Sequence, residues 1–368
     1  MKTFDDLIQE VCKPGLCHQC GGCVSFCAAA NYGALEMGPD GVPRYRDRSR
    51  CADCGLCYQV CPEVDELVDE TRARLNWATP IGPVEEVCMA RARDTLVRDL
   101  ATDGGVVTAL LLHLLESGCI DGAVVSRQTA PLQRLPCLAV TRKDVLLAAG
   151  AAYAPWTGRL GEPASFSTYA SSSSSISQLG ARGVRRAAVV APPDQIMCMR
   201  KMETMHIPPS DRFQYQLGLF CSRSFEFGAE GLARLEELGR FQWPEVERVN
   251  LKESLQFHLL DGRRVEIPLD RVDFLARSAC RYCKDYSAEL ADISFGGLGA
   301  PEGWTTVIIR NGKGRKLFAE ARGSALEVMA PAKMTPLRAT ALELIKHYSQ
   351  AKRARGVENR KEFEASVA

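Results

Sequence analysis

Two runs of four closely spaced cysteines constrain this chain more than any other feature. Cys17, Cys20, Cys23 and Cys27 are separated by two, two and three residues, and Cys51, Cys54, Cys57 and Cys61 repeat that spacing, with Pro62 next. Three thiolates so close together can take three corners of one 4Fe–4S cube, and the fourth cysteine of each run then reaches the other cube. The pattern assigns Cys17, Cys20, Cys23 and Cys61 to a first cluster, and Cys51, Cys54, Cys57 and Cys27 to a second. Gly21, Gly22 and Gly55 let backbone N–H groups approach the sulfurs. Zinc is the competing reading, but it favours two separated Cys-x2-Cys pairs over four cysteines in eleven residues, twice. Ala28 stands where a proline often follows the fourth cysteine, which weakens a turn preference and leaves the ligand count intact. Cys12 lies outside the pattern and reads as a structural or spare thiol.

The rest of the composition sets limits. Nine of 16 cysteines fall in the first 61 of 368 residues, so the metal chemistry is concentrated at one end. Lys and Arg total 46 against 45 Asp and Glu, a net charge of +1 that offers no field for gripping nucleic acid or an anionic membrane. The first ten residues carry acids and no apolar signal-peptide core, so a cytoplasmic protein is expected, where cysteines serve metal or redox work rather than disulfides. The longest apolar stretch, residues 106–115, is far short of the ~20 residues of a membrane span. Membrane contact is therefore expected only through a partner.

Texture divides the chain into a two-cluster module at 1–80, an α/β region at 81–335 and a C-terminal helix and tail at 336–368. Residues 63–75 read as a charged linking helix, broken by Pro80, Gly82 and Pro83. Asp103 is placed to cap a mostly apolar helix over 104–117. Apolar runs at 122–126, 137–141, 187–191, 215–220, 293–295 and 305–309 predict strands, and 195–204 and 227–239 predict helices. Asp261 and Gly262 suit a hairpin turn between 256–260 and 265–267. Ser171 to Ser175 read as solvent-exposed filler. The basic stretch 346–361 reads as a solvated helix end.

The second half holds a sparser set of thiols: Cys198, Cys221 and the pair Cys280-x2-Cys283. Spacing alone leaves a third cluster, zinc and inert core thiols all open. Cys88, Cys119 and Cys137 sit in apolar settings and read as small buried hydrophobes. No G-x-G-x-x-G follows a strand, because Pro301 falls where the helix after Gly297 and Gly299 would have to open. A Rossmann dinucleotide fold is disfavoured. Gly104 and Gly105 at a helix start could instead receive a phosphate or ring carbonyl through backbone N–H groups, although a plain capped core helix explains them equally. The five histidines are scattered and suggest no catalytic triad, and no catalytic residue is assigned.

Several segments resemble the beta-subunit family of coenzyme F420 hydrogenases and dehydrogenases. They are Asp103 to Leu110, Ile120 to Val124, Gln195-Ile196 with Arg200-Lys201-Met202, Gly218 to Cys221, Cys280-x2-Cys283-x-Asp285, Ala291 to Gly297, and Gly303 to Val307. The likeness runs from about residue 85 to 330, with a bacterial-type two-cluster ferredoxin module as the N-terminal extension. It implies a mixed α/β domain that binds FAD, exchanges hydride with a deazaflavin of the coenzyme F420 kind and passes single electrons to clusters. A flavin accepts two electrons as hydride and releases them singly, so it suits a chain of one-electron clusters. Asp103, Gly104, Gly105 and Thr108 become candidate cofactor contacts, and Arg200 and Lys201 candidate phosphate partners.

The resemblance also implies a third 4Fe–4S cluster, expected on Cys198, Cys221, Cys280 and Cys283. The family usually carries Thr-Pro-Cys-Gln where this chain reads Pro192-Pro193-Asp194-Gln195, so Asp194 competes with Cys198 for the fourth position. The expected partners are redox subunits of hydrogenase, heterodisulfide-reductase or formate-dehydrogenase type. Two other readings stand beside this one. One is a flavin-free electron relay, and the other is a reductase of an organic substrate such as a chlorophyll-pathway pigment.

Overall fold

The computed structural model describes residues 1–130, 133–150, 166–167, 170–251 and 254–367. Its centre is a mixed eight-stranded sheet. From edge to edge the strands run Leu326–Val328, Glu86–Ala92, Thr305–Ile309, Ile293–Gly296, Phe213–Leu219, Ala187–Ala191, Gly122–Ala130 and Gln133–Ala139. The four from Ile293–Gly296 through Gly122–Ala130 are mutually parallel, and antiparallel strands extend the sheet on both sides. Short apolar runs were the right signal, because strands covered on both faces lose the in–out alternation of a half-exposed sheet.

Alternation still decides which side chain goes where. Ala123, Val125 and Ala188 pack on one face with the Val106–Glu116 and Gly312–Ala321 helices, while Val124 and Val189 pack on the other with Ile176, Ile196 and Met199. The Val106–Glu116 helix has no side-chain cap, and its N-cap is Gly105 with φ +73° rather than Asp103. Leu110, Leu111, Leu112 and Leu114 are all buried. At about 1.5–3 kcal/mol each, their burial outweighs the ~1 kcal/mol a cap would add.

A separate three-stranded antiparallel sheet, Val246–Leu251, Ser254–Leu259 and Arg264–Pro268, closes a smaller core around Phe241, Trp243 and Phe257. Its predicted turn is present, with Gly262 at φ +84°. The cysteine-rich N-terminal segment forms its own core of Phe4, Leu7, Leu16, Phe26 and Val60, which Cys198 and Met202 of the Pro193–Thr204 helix join. That helix therefore packs on both the sheet and the cysteine module.

The serine run differs from its expectation. Ser172, Ser173 and Ser175 are buried. Ser173 lies between the module and the helix: its carbonyl accepts from Ser25 Oγ, and its N–H donates to Gln195 Oε1 at 2.9 Å. A polar run buries without penalty when such partners are supplied, and composition does not display partners. The C-terminal helix is also longer than predicted, covering Pro331–Val367. No helix among the described residues is long and apolar enough to cross a membrane.

Candidate functional site

The thiols of the N-terminal module fall into two groups. Cys23 and Cys61 are pushed up mainly by burial and then by the neighbouring thiols Cys17 and Cys20. Cys57 is pushed up to about 12 by burial, with Cys54, Cys51 and Cys27 as its thiol neighbours. Cys27, Cys51, Cys54 and Cys57 ring a small cavity of about 20 Å³ floored by Phe4, Phe26 and Leu35. Burial thus favours the protonated form of Cys23, Cys57 and Cys61, and binding iron must expel those protons. Among the described residues no three His, Cys, Asp or Glu side chains converge tightly enough for a single metal ion.

A third group forms where the loop after strand Phe213–Leu219 meets the Cys280–Cys283 segment. Cys221 is pushed up to about 11 by burial, with Cys280 and the Asp194 carboxylate among the charges it feels. Cys283 is pushed up to about 12 by burial, and it too feels Asp194 and Cys221. Cys280 Sγ receives the Ser224 N–H at 3.3 Å.

Cys198 is not part of this group. Its sulfur lies over Gly22, where a Cβ would stand only 2.1 Å from it and 3.7 Å from Cys20 Sγ. The reason is helical geometry. Pro193–Thr204 is a continuous helix with Asp194 in its first turn, so Cys198 sits a full turn further along, over the first ferredoxin loop. Asp194 instead faces His18 Nδ1 at 3.6 Å, and His18 Nε2 pairs with Glu63 Oε1 at 2.8 Å. These three buried groups link the third thiol group to the first.

Arg200 and Lys201 also differ from expectation, since neither lines a cleft. Arg200 donates to Leu290 O and Asp292 Oδ1, both at 2.8 Å. Lys201 Nζ donates to the Cys61 and Val64 carbonyls at 2.7 Å each. Both cations anchor the helix, Lys201 directly onto the cysteine module.

The large cleft has a volume of about 440 Å³ and opens at the carboxyl ends of the parallel strands. Ligands of open α/β sheets bind in that position. Asp103, Gly105 and Thr108 line it, as does Cys221. Gly104 sits just behind, its N–H donating to Thr305 Oγ1 at 3.0 Å. A Cβ there would meet Ala90 O at 2.7 Å, so the position requires glycine. Asp103 faces the Gly296–Gly297 loop, where a Cβ on Gly297 would come within 2.8 Å of its Oδ1. Arg134, Arg223, Tyr286 and Tyr348 also line the cleft and were not singled out from sequence. Arg134 is held by the Gly150 and Ala148 carbonyls at 2.7 and 2.9 Å. Arg223 pairs with Asp273. A lone arginine in an edge strand, as Arg134 is, or in a loop, as Arg223 is, carries no pattern that marks it as a cleft residue.

The same segments match known proteins. Residues 10–62 match a 4Fe-4S dicluster domain. Residues 87–160 match the N-terminal, and 184–333 the C-terminal, part of the coenzyme F420 hydrogenase/dehydrogenase beta subunit. A coenzyme F420-dependent sulfite reductase of Methanocaldococcus jannaschii is 26% identical over 334 residues, covering 84% of this chain, which spans only 46% of that protein. The coenzyme F420 hydrogenase subunit beta of Methanococcus voltae is 30% identical over 243 residues, 64% of this chain and 80% of the relative. A chain of the F420-reducing [NiFe] hydrogenase complex from Methanosarcina barkeri superposes with a TM-score of 0.66 at 25% identity, covering 78% of this chain and 94% of its own. With the cleft glycines, the loop of Cys221 and the Cys280–Cys283 pair all inside the matched segments, the chain belongs to the coenzyme F420 hydrogenase/dehydrogenase beta-subunit family and carries a 4Fe-4S dicluster domain at its N-terminal end.

Proposed function

We propose that this chain is the flavin and iron–sulfur subunit of an oxidoreductase complex, moving electrons between a deazaflavin hydride carrier and one-electron partners. One observation carries the reading: Cys221 belongs both to the third thiol group and to the wall of the 440 Å³ cleft. FAD bound in that cleft would supply the conversion between a two-electron hydride and single electrons. The chain's own residues would do the holding. Gly105 brings backbone to the cofactor with Gly104 packed close behind it, Asp103 and Thr108 line its bed, and Arg134 and Arg223 place positive charge for its phosphates. Cys221, Cys280, Cys283 and Asp194 hold a third cluster at the cleft wall. The Asp194–His18–Glu63 link leads from it to the first cluster of Cys17, Cys20, Cys23 and Cys61. The second, of Cys27, Cys51, Cys54 and Cys57, is the exit towards a partner subunit. The named relatives are subunits or enzymes of F420-linked oxidoreduction, which supports redox partners for this chain as well.

The test is cofactor content. Protein purified anaerobically and then denatured should release about one FAD and about 12 Fe per chain, four for each of three cubes. Gly104→Val should lower bound flavin at least tenfold while leaving iron unchanged, because the added side chain collides with Ala90 O and Thr305. Release of no flavin, even after reconstitution, would leave the flavin-free relay. A chain holding stoichiometric zinc and no iron would overturn both.

A further inference from the structure

The C-terminal helix carries a charge that the cluster pattern does not account for. The matched family segments end at residue 333, whereas this helix runs Pro331–Val367. One of its faces is buried well past that point: Ala341, Ile345 and Ser349 are fully covered, and Lys352 is only 4% exposed. Steps of three and four residues make this a single helical stripe. Gly356 continues it, and a Cβ there would stand 2.8 Å from Tyr282 O and 2.9 Å from Cys283 O. The helix backbone therefore lies directly on the Cys280–Cys283 loop. Asn359 Nδ2 adds a bond to Arg281 O at 2.7 Å, and Arg360 reaches Glu63 Oε2 at 3.4 Å.

A buried helical stripe that contains a lysine has more than packing to explain. Burying an ammonium costs several kcal/mol unless negative charge faces it. Lys352 Nζ donates to the Cys221 carbonyl at 2.6 Å. Its neighbours on that side are Cys283, Cys221 and Cys280, all three members of the third thiol group.

We propose that Lys352 is an electrostatic positioning residue for the third iron–sulfur site, a fixed cation that raises the cluster's reduction potential so that it accepts electrons from the cleft. The inference rests on the third-cluster reading above. Three thiolates and the Asp194 carboxylate make the site strongly anionic, and reduction adds one electron without breaking a bond. A fixed positive charge favours the state with the extra electron. The C-terminal helix is then part of the redox centre, not a solvated tail.

The test is a redox titration of the full chain followed by electron paramagnetic resonance, with iron counted in parallel. Lys352→Met should keep about 12 Fe and lower the third cluster's reduction equilibrium constant about tenfold, ~59 mV for one electron. The two N-terminal clusters should be unmoved, and Lys352→Arg should lie within threefold of the unsubstituted chain. A change under twofold in Lys352→Met, with the cluster present, overturns the proposal. Should Lys352→Met lose the cluster, Lys352→Gln carries the same comparison, because its amide still donates to Cys221 O. Loss in both neutral variants with retention in Lys352→Arg supports the cation's role, and equal loss in Lys352→Arg overturns it. If the unsubstituted chain itself holds about 8 Fe and only two cluster signals, the third-cluster reading has failed, not the role of Lys352 within it.

Discussion

Asp194→Ala is expected to lower bound iron from about 12 to about 8 per chain and to remove one cluster signal. Cys198→Ser is expected to leave both unchanged. The two residues are one helical turn apart, and sequence favoured the thiolate because sulfur suits iron better than oxygen. Geometry reverses that preference. The Asp194 carboxylate is felt by Cys221 and Cys283 as well as by Cys20, while the Cys198 sulfur rests on Gly22 beside Cys20, away from the third group. Because Asp194 also faces buried His18, the thermal unfolding midpoint is measured alongside, and a folded variant that lacks one cluster separates ligand loss from loss of fold. Asp194→Cys is the rescue and should restore about 12 Fe. Iron loss in Cys198→Ser with full iron in Asp194→Ala would reverse the assignment.

Arg310→Met is expected to destabilise the protein by about 3–5 kcal/mol, read as a fall of roughly ten degrees in the thermal unfolding midpoint. The Arg310 guanidinium is 1% exposed and donates to the Ile81, Pro83 and Ser287 carbonyls at 2.7, 3.0 and 2.8 Å. Burial pulls it down to about 10, and Asp285 and Glu289 oppose that pull. Its loss leaves three carbonyls without their donor and removes one of the cations that Asp285 and Glu289 feel, Arg353 remaining paired with Glu289. Asp285 is two residues from Cys283, so the variant should also lose third-cluster iron before the N-terminal iron. A midpoint within two degrees of the unsubstituted chain would show that Arg310 is dispensable.

Some of this was legible in the chain itself. The cysteine runs were, because a cube needs thiolates at fixed local spacing and a short loop brings them together wherever it lies. The parallel strands were, because strands covered on both faces are written as short apolar runs. Gly104 stood out for its place at a helix start, although the reason it must be glycine, the Ala90 carbonyl, comes from a distant strand.

Other assignments turned on neighbours far away in sequence. Arg200 and Lys201 looked like phosphate partners until their guanidinium and ammonium groups were found on Asp292 and Cys61. The serine run looked exposed until Ser25 and Gln195 were found beside it. Lys352 looked solvated because its helix is rich in charge, yet it contacts Cys221, 131 positions earlier. Local spacing determined which residues could bind iron, since ligand reach within a loop is set by a few bonds. Only the tertiary structure decided which of Asp194 and Cys198 meets the third thiol group, because helical twist sends residues one turn apart to different neighbours along the axis.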